Sequence, residues 1–224
     1  MSMPTIESIQ VSLPQAIGDE LAADPMDQRW YSGFHKRPVS GPVRVGKLTI
    51  AGDGQADLSV HGGPDRPILA YCADHYESWR DELGFPDKPF GGFGENFTIR
   101  GLNESRVCLG DVYGIDGVRV EVSQPRQPCW KLARRWRNKE LPALVIKHHR
   151  GGWYFRVLTE GMVEAGMSVQ LLERPHAHWT IVRMNHMMYH GKDDVEANRE
   201  LADCLALSVD WREYFGKRLA GELE

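Results

Sequence analysis

The stretch Gln124-Pro125-Arg126-Gln127-Pro128-Cys129-Trp130-Lys131-Leu132 joins a strand-like run, residues 118–122, to a helical one, residues 130–137. The two prolines fix φ and push the residue before each toward extended backbone. The connection is therefore stiff, and Cys129 is held in place before any ligand arrives. Arg126 and Lys131 flank it with positive charge, the setting in which a cysteine works through its thiolate as nucleophile or soft metal ligand. On residue types alone a buried packing cysteine is the rival reading.

Outward from this junction, short strand-like runs broken by glycine, proline and aspartate recur from Thr5 to Leu172, at 42–50, 68–71, 97–99, 118–122 and 167–172. They read as a barrel or curled sheet interrupted by helices, one of them over 73–83 with Tyr76 and Trp79 on one face. After Pro175 the texture changes to apolar residues at helical spacing over 181–189, 194–207 and 210–223. That predicts three helices, the second capped by Asp193 or Asp194 and the third by Ser208 or Asp210. The expected fold is α+β, mainly β: a closed or nearly closed barrel with helical insertions over 1–174 and a small three-helix bundle over 175–224.

At 42% hydrophobic and 26% charged residues, the 224-residue chain has a globular composition, which argues against disorder. A net charge of -4 argues against a surface built for nucleic acid. No apolar run reaches the length of a membrane span. The first residues carry Glu7, Asp19, Glu20 and Asp24 in place of a signal peptide's basic and apolar layout, so a cytoplasmic protein without membrane contact is expected. Cys72, Cys108, Cys129 and Cys204 form no CxxC pair, which fits reduced thiols.

Other clusters carry weaker chemistry. Gly52-Asp53-Gly54-Gln55-Ala56-Asp57 and Val60-His61-Gly62-Gly63-Pro64-Asp65-Arg66 are turns whose amides can cradle an anion, or turns and nothing more. His61 has three readings: hydrogen bonding, titration near neutrality, or packing. Gly91-Gly92-Phe93-Gly94-Glu95-Asn96-Phe97 looks like a dinucleotide loop but has Phe97 where the third glycine belongs. Glu95 and Asn96 offer a carboxylate and an amide, with a structural turn as the rival. Lys36 and Arg37 precede Pro38 in an extended segment with reach to a phosphate, against the alternative of solvated charge. His186 and His190 stand at helical spacing without the glutamate of HExxH, and neither GxSxG nor a P-loop occurs.

Taken in order, Lys36 before Pro38, GDGQAD at 52–57, VHGGPD at 60–65, GENFTIRGL at 94–102, Gly110-Asp111 and QPRQPCWKL at 124–132 form a set that resembles the MOSC domains, and within them the YiiM-like branch. The resemblance spans nearly the whole chain. It implies a β-barrel followed by a three-helix segment and a molybdenum cofactor (Mo-molybdopterin) held through Cys129 as metal ligand. It further implies that His61, Glu95, Asn96, Arg126 and Lys131 line the cofactor pocket, with Cys129, His61 and Glu95 as the catalytic set and Lys36 and Arg37 helping to hold the pterin phosphate.

The activity implied is reduction of small N-hydroxylated compounds such as 6-hydroxylaminopurine, a detoxifying reaction. No flavin, haem or iron–sulfur motif is present, so electrons are expected from a separate reductase. The helical tail offers a contact for a homodimer. The wider family is also described as binding pyridoxal phosphate, but nothing in this chain resembles a pyridoxal-phosphate domain. Three rivals stand: a sulfur carrier with a persulfide on Cys129, a non-catalytic cofactor carrier, and an interaction module built on the tail helices.

Overall fold

A computed structural model describes residues 3–58, 61–85 and 89–223. Twelve strands and six helices follow one another: β1 (Thr5–Val11), β2 (Gln15–Ile17), β3 (Trp30–Ser32), β4 (Arg37–Pro38), β5 (Val43–Val45), β6 (Ile68–Cys72), α1 (Asp74–Leu83), β7 (Phe97–Arg100), β8 (Val112–Ile115), β9 (Val118–Pro125), α2 (Trp130–Trp136), α3 (Leu141–Lys147), β10 (Trp153–Thr159), β11 (Gly161–Val163), β12 (Gln170–Glu173), α4 (Ile181–His190), α5 (Val195–Asp203) and α6 (Val209–Leu219).

Eight strands form one sheet in the order β12-β8-β9-β10-β6-β7-β1-β4. All neighbours are antiparallel except β6 and β7, which run parallel because the crossover through α1 returns the chain in the same direction. The sheet curls until β1 meets the segment leading into β12. There Ile6 N–H donates to Met167 O (2.9 Å), Gly166 N–H to Ile6 O (2.7 Å) and Val169 N–H to Pro4 O (2.8 Å). These bonds close the barrel and leave little free edge.

Alternation along the strands fills the interior: Val118, Val120 and Val122 from β9 and Trp153, Phe155 and Val157 from β10 are buried in one cluster. The same cluster continues without a break into Trp179, Ile181, Met184, Leu201, Trp211 and Phe215 of the tail, so the helices complete the barrel core. A second cluster outside the barrel packs Tyr76 and Trp79 of α1, Phe93, Leu132 and Trp136 of α2, and Leu141 and Val145 of α3. It fixes the helix that begins at Cys129.

Several local expectations are corrected. The run 42–50 yields only β5, because Gly46 N–H bonds to Thr49 O (2.9 Å) and turns the chain back. Helix α3 goes unforeseen, since Pro142 in its first turn reads as a break. Asp194 does cap α5, accepting from Ala197 N–H at 3.0 Å. Ser208 holds the N-cap position of α6, but its buried hydroxyl has no hydrogen-bond partner among the described residues. Asp65 supplies the acceptor there, taking Val209 N–H on Oδ2 at 3.1 Å.

Candidate functional site

Where β9 ends at Pro125, its partner strand still holds the backbone: Trp153 lies opposite Pro125, and Arg126 N–H donates to Gly152 O at 3.1 Å. The chain then leaves the sheet. Cys129 occupies the N-cap position of α2 with extended backbone (φ -121°, ψ 169°), and its carbonyl accepts from Leu132 N–H to start the helix. Leu132 and Trp136 anchor that helix in the outer aromatic cluster, with Trp136 Nε1–H donating to Gly92 O at 2.9 Å. The thiol is thus placed between a sheet and a packed helix, and it is partly exposed while the other three cysteines are buried. Burial pushes the Cys72 thiol up to about 12 and raises that of Cys108. These two are held as inert thiols.

Cys129 opens into a cleft whose walls come from the 54–56 and 61–66 turns, Gly94 and Asn96, and the start of α2. Among the described residues four cations line it, Lys36, Arg66, Arg126 and Lys131, and no carboxylate does. Two are neutralised from behind: Lys36 is buried against Asp53, and Arg66 pairs with Asp210 at 2.8 Å. Burial lowers the Lys36 pKa, with Asp53 opposing the shift. Asp53 also accepts Asn96 Nδ2–H at 2.9 Å, and Asn96 Oδ1 accepts Leu69 N–H at 3.1 Å, so this wall of the cleft is braced on β6.

Arg126 and Lys131 have no carboxylate partner among the described residues. Arg126 is 4% exposed. Its Nη2 donates to Phe93 O at 3.2 Å, while Nη1 is buried without a partner. An unpaired buried guanidinium N–H is costly, and a bound anion is the natural acceptor. Lys131 Nζ donates to His61 Nε2 at 3.3 Å. Burial first, then the charges of Lys131, Arg66 and Arg126, lower the His61 pKa to about 4, so the imidazole is neutral near pH 7 and keeps its proton on Nδ1.

Of the expected pocket residues, His61, Lys36, Asn96, Arg126, Cys129 and Lys131 meet in this cleft. Glu95 does not. It is fully buried, and its carboxylate accepts Tyr76 O–H (2.5 Å), Gly91 N–H (2.7 Å), Phe93 N–H (3.0 Å) and Thr98 Oγ1–H (3.0 Å). Three of these donors fall on Oε1 and one on Oε2, and together they commit the carboxylate to holding the 91–97 turn. The turn also needs its glycine at 94, where φ is +79° and a Cβ would come within 2.6 Å of the Phe34 ring. Arg37 is exposed on β4 opposite Val11, outside the cleft.

Val60 of the VHGGPD motif lies outside the described residues. His186 and His190 lie with ring centroids 5.4 Å apart and planes tilted by 44°, and among the described residues no three metal-ligating side chains converge. No described helix is long and apolar enough to cross a membrane. Sequence reading gave no role to Phe34, Arg66 or Tyr154, which also line the cleft. For Tyr154 the signal was available: it sits between buried Trp153 and Phe155, so strand alternation turns it away from the barrel core.

The MOSC domain family profile matches residues 57–170, and the YiiM-like, 3-alpha helix domain profile matches residues 179–222. The Bacillus subtilis protein YflK is 41% identical over 187 residues, covering 84% of each chain. A protein named reductase from Gibberella moniliformis is 36% identical over 183 residues, which are 80% of this chain but only 32% of that longer one. The crystal structure of YiiM from Geobacillus stearothermophilus superposes with a TM-score of 0.80 at 39% identity, over 96% of this chain and 99% of that one. The chain belongs to the MOSC domain family and carries the YiiM-like three-helix domain after its barrel.

Proposed function

We propose that the protein is a molybdenum-cofactor-dependent reductase of small N-hydroxylated compounds, with Cys129 as the sulfur ligand of the metal. The observation that carries this reading is a partly exposed thiol in the same cleft as a buried Arg126 N–H that, among the described residues, has no partner, the described lining holding four cations and no carboxylate. A soft sulfur donor suits a redox-active metal, and the cations suit the anionic pterin tail. The donor set therefore fits the group. Molybdenum bound here would supply two-electron oxygen-atom chemistry, the net change being R–NHOH plus two electrons and two protons to R–NH2 and water.

The chain's own residues have separable tasks. Arg126 and Lys131 hold negative charge without a competing carboxylate, whereas the charge of Lys36 is already answered by Asp53. His61, neutral and fed by Lys131, presents its Nδ1–H as a donor and keeps the Lys131 ammonium fixed at the cleft. The fungal relative named a reductase, similar over most of this chain, adds support for redox chemistry.

The test is molybdenum and pterin content after expression in a host that makes the cofactor, together with turnover of 6-hydroxylaminopurine with reduced methyl viologen as electron source. Cofactor and turnover present in the wild type and lost in a folded Cys129→Ser variant are the expected result. A wild type without molybdenum that instead carries a persulfide on Cys129 would overturn it in favour of sulfur transfer.

A further inference from the structure

Five of the nine histidines gather at one corner of the fold, where α1, the turn after α3 and helix α4 come together: His75, His148, His149, His186 and His190. His186 and His190 stand one helical turn apart on the exposed side of α4, with ring centroids 5.4 Å apart. Neither ring makes a hydrogen bond or an ion pair among the described residues. Two imidazoles at this spacing can share one ion, as the histidines of HExxH do, although the glutamate needed for hydrolysis is absent here.

His149 faces the pair from the turn after α3. It holds a left-handed backbone (φ +55°) that a β-carbon disfavours, and its Nδ1 is buried without a partner among the described residues. Burial lowers its pKa, and the charges of His186, His190 and His148 lower it further against the pull of Glu104. The ring is thus kept in the neutral form that a metal requires. Both carboxylates of the corner are engaged elsewhere. Glu104 accepts Gly152 N–H at 2.8 Å and meets His75 Nε2 at 2.7 Å, and Glu82 takes two N–H groups of Arg150 at 2.7 and 2.8 Å. The donors left over are imidazole nitrogens, which suit zinc, copper or nickel and not the oxygen-seeking calcium or magnesium.

We propose that His186 and His190 bind a divalent transition-metal ion of the zinc, copper or nickel class, with His149 as third ligand, and that the ion clips α4 to the turn after α3. The three rings do not converge as they stand. The helical pair takes the ion first, and His149 closes on it by turning about its side-chain bonds. The clip reaches the cleft from behind, because the same turn continues into Gly152, whose carbonyl accepts Arg126 N–H at 3.1 Å, and Gly151, where a Cβ would come within 2.8 Å of Arg126 O. This inference is independent of the reaction carried out at Cys129.

The test is zinc binding by equilibrium dialysis near neutral pH, in a Cys129→Ser background so that the cleft thiol does not compete. A single zinc ion per chain is expected, bound in the micromolar range or tighter. His186→Ala and His190→Ala should each weaken binding about 100-fold, and His149→Asn, which tolerates the left-handed backbone, about tenfold. Circular dichroism checks that each variant is folded; the two α4 side chains are exposed and their loss should leave the fold intact. Zinc should also raise the melting temperature of the background protein, and that rise should disappear in His186→Ala. No bound zinc at about 100 μM free ion, or affinity that survives loss of either α4 histidine, would overturn the site. Affinity unchanged in His149→Asn, or a melting temperature that does not respond to bound zinc, would overturn the clip.

Discussion

Asp65, in the glycine-rich turn of the barrel, accepts the Val209 amide at 3.1 Å and so caps the last helix of the tail from another part of the fold. Its other oxygen holds Arg156 at 2.8 Å, and its backbone carbonyl takes the Ser123 hydroxyl at 2.6 Å. The turn that carries His61 and Arg66 to the cleft is thus pinned between strand β9 and helix α6. The Arg66–Asp210 ion pair makes the same connection from the next residue. The tail helices therefore help to shape the cleft wall as well as complete the core.

Asp65→Ala should remove both the cap and the Arg156 pairing and destabilise the protein by about 1–2 kcal/mol, whereas Asp210→Asn, at a pair whose carboxylate is exposed, should change stability by less than about 0.5 kcal/mol. Urea unfolding measures the difference, and limited proteolysis should cut Asp65→Ala first around residues 204–209. Equal stability of the two variants would show that α6 does not depend on the barrel turn.

Glu95→Gln should act on folding rather than on chemistry. The carboxylate accepts four donors, and an amide in its place turns an N–H group toward them. A loss of about 2–4 kcal/mol is expected, with turnover per folded, cofactor-loaded molecule kept. A stable variant that has lost turnover would restore Glu95 to the chemistry.

How much of this was open to sequence reading depends on whether a residue's neighbours are near in the chain. Cys129 was legible because the prolines, the flanking cations and the helix start are local. So was the division into barrel and three helices, because strand alternation and helical spacing are local patterns. Glu95 and Asn96 are adjacent and looked alike as ligands. Which one faces the cleft depends on Tyr76 and Thr98 in one case and Asp53 and Leu69 in the other, and no local pattern encodes those contacts. Ser208 was misjudged as a cap for the same reason, since the competing acceptor is 144 residues away.

The low pKa of His61 gives stability a pH dependence of definite sign. At pH above the ordinary value of 6.5 neither folded nor unfolded chain binds this proton, and the group has no effect. As pH falls from there toward about 4 the unfolded chain takes the proton and the folded one does not, so stability is lost through that window and the loss is complete below it. Allowing for solvent screening in an open cleft, the wild type should lose about 1–2 kcal/mol more than His61→Gln between about pH 7 and about pH 4. Parallel pH profiles for the two proteins would show that His61 titrates normally.

Thiol labelling should separate the cysteines in the native protein. Cys129 is partly exposed, while Cys72, Cys108 and Cys204 are buried. Iodoacetamide is expected to modify one thiol rapidly, and Cys129→Ser should abolish that phase with stability changed by less than about 0.5 kcal/mol. Cys72→Ser should keep the fast phase and cost about 1–3 kcal/mol, because its hydroxyl is buried beneath α1. A fast phase that survives in Cys129→Ser would mean another thiol is the accessible one.

Arg126 tests whether the cleft sacrifices stability for binding. Its buried Nη1 has no acceptor among the described residues, so the cofactor-free protein bears the desolvation of a guanidinium that one carbonyl only partly satisfies. Arg126→Met removes that charge while keeping much of the side-chain volume. The cofactor-free variant should therefore be as stable as wild type or more stable, by up to about 1–2 kcal/mol, even though a buried residue has been replaced. Inorganic phosphate should raise the melting temperature of the wild type by binding the folded state, and that shift should shrink or vanish in Arg126→Met. A variant that is destabilised and still responds fully to phosphate would show that Arg126 is a structural residue satisfied by its contact with Phe93, and the anion site would then have to be sought at Lys131.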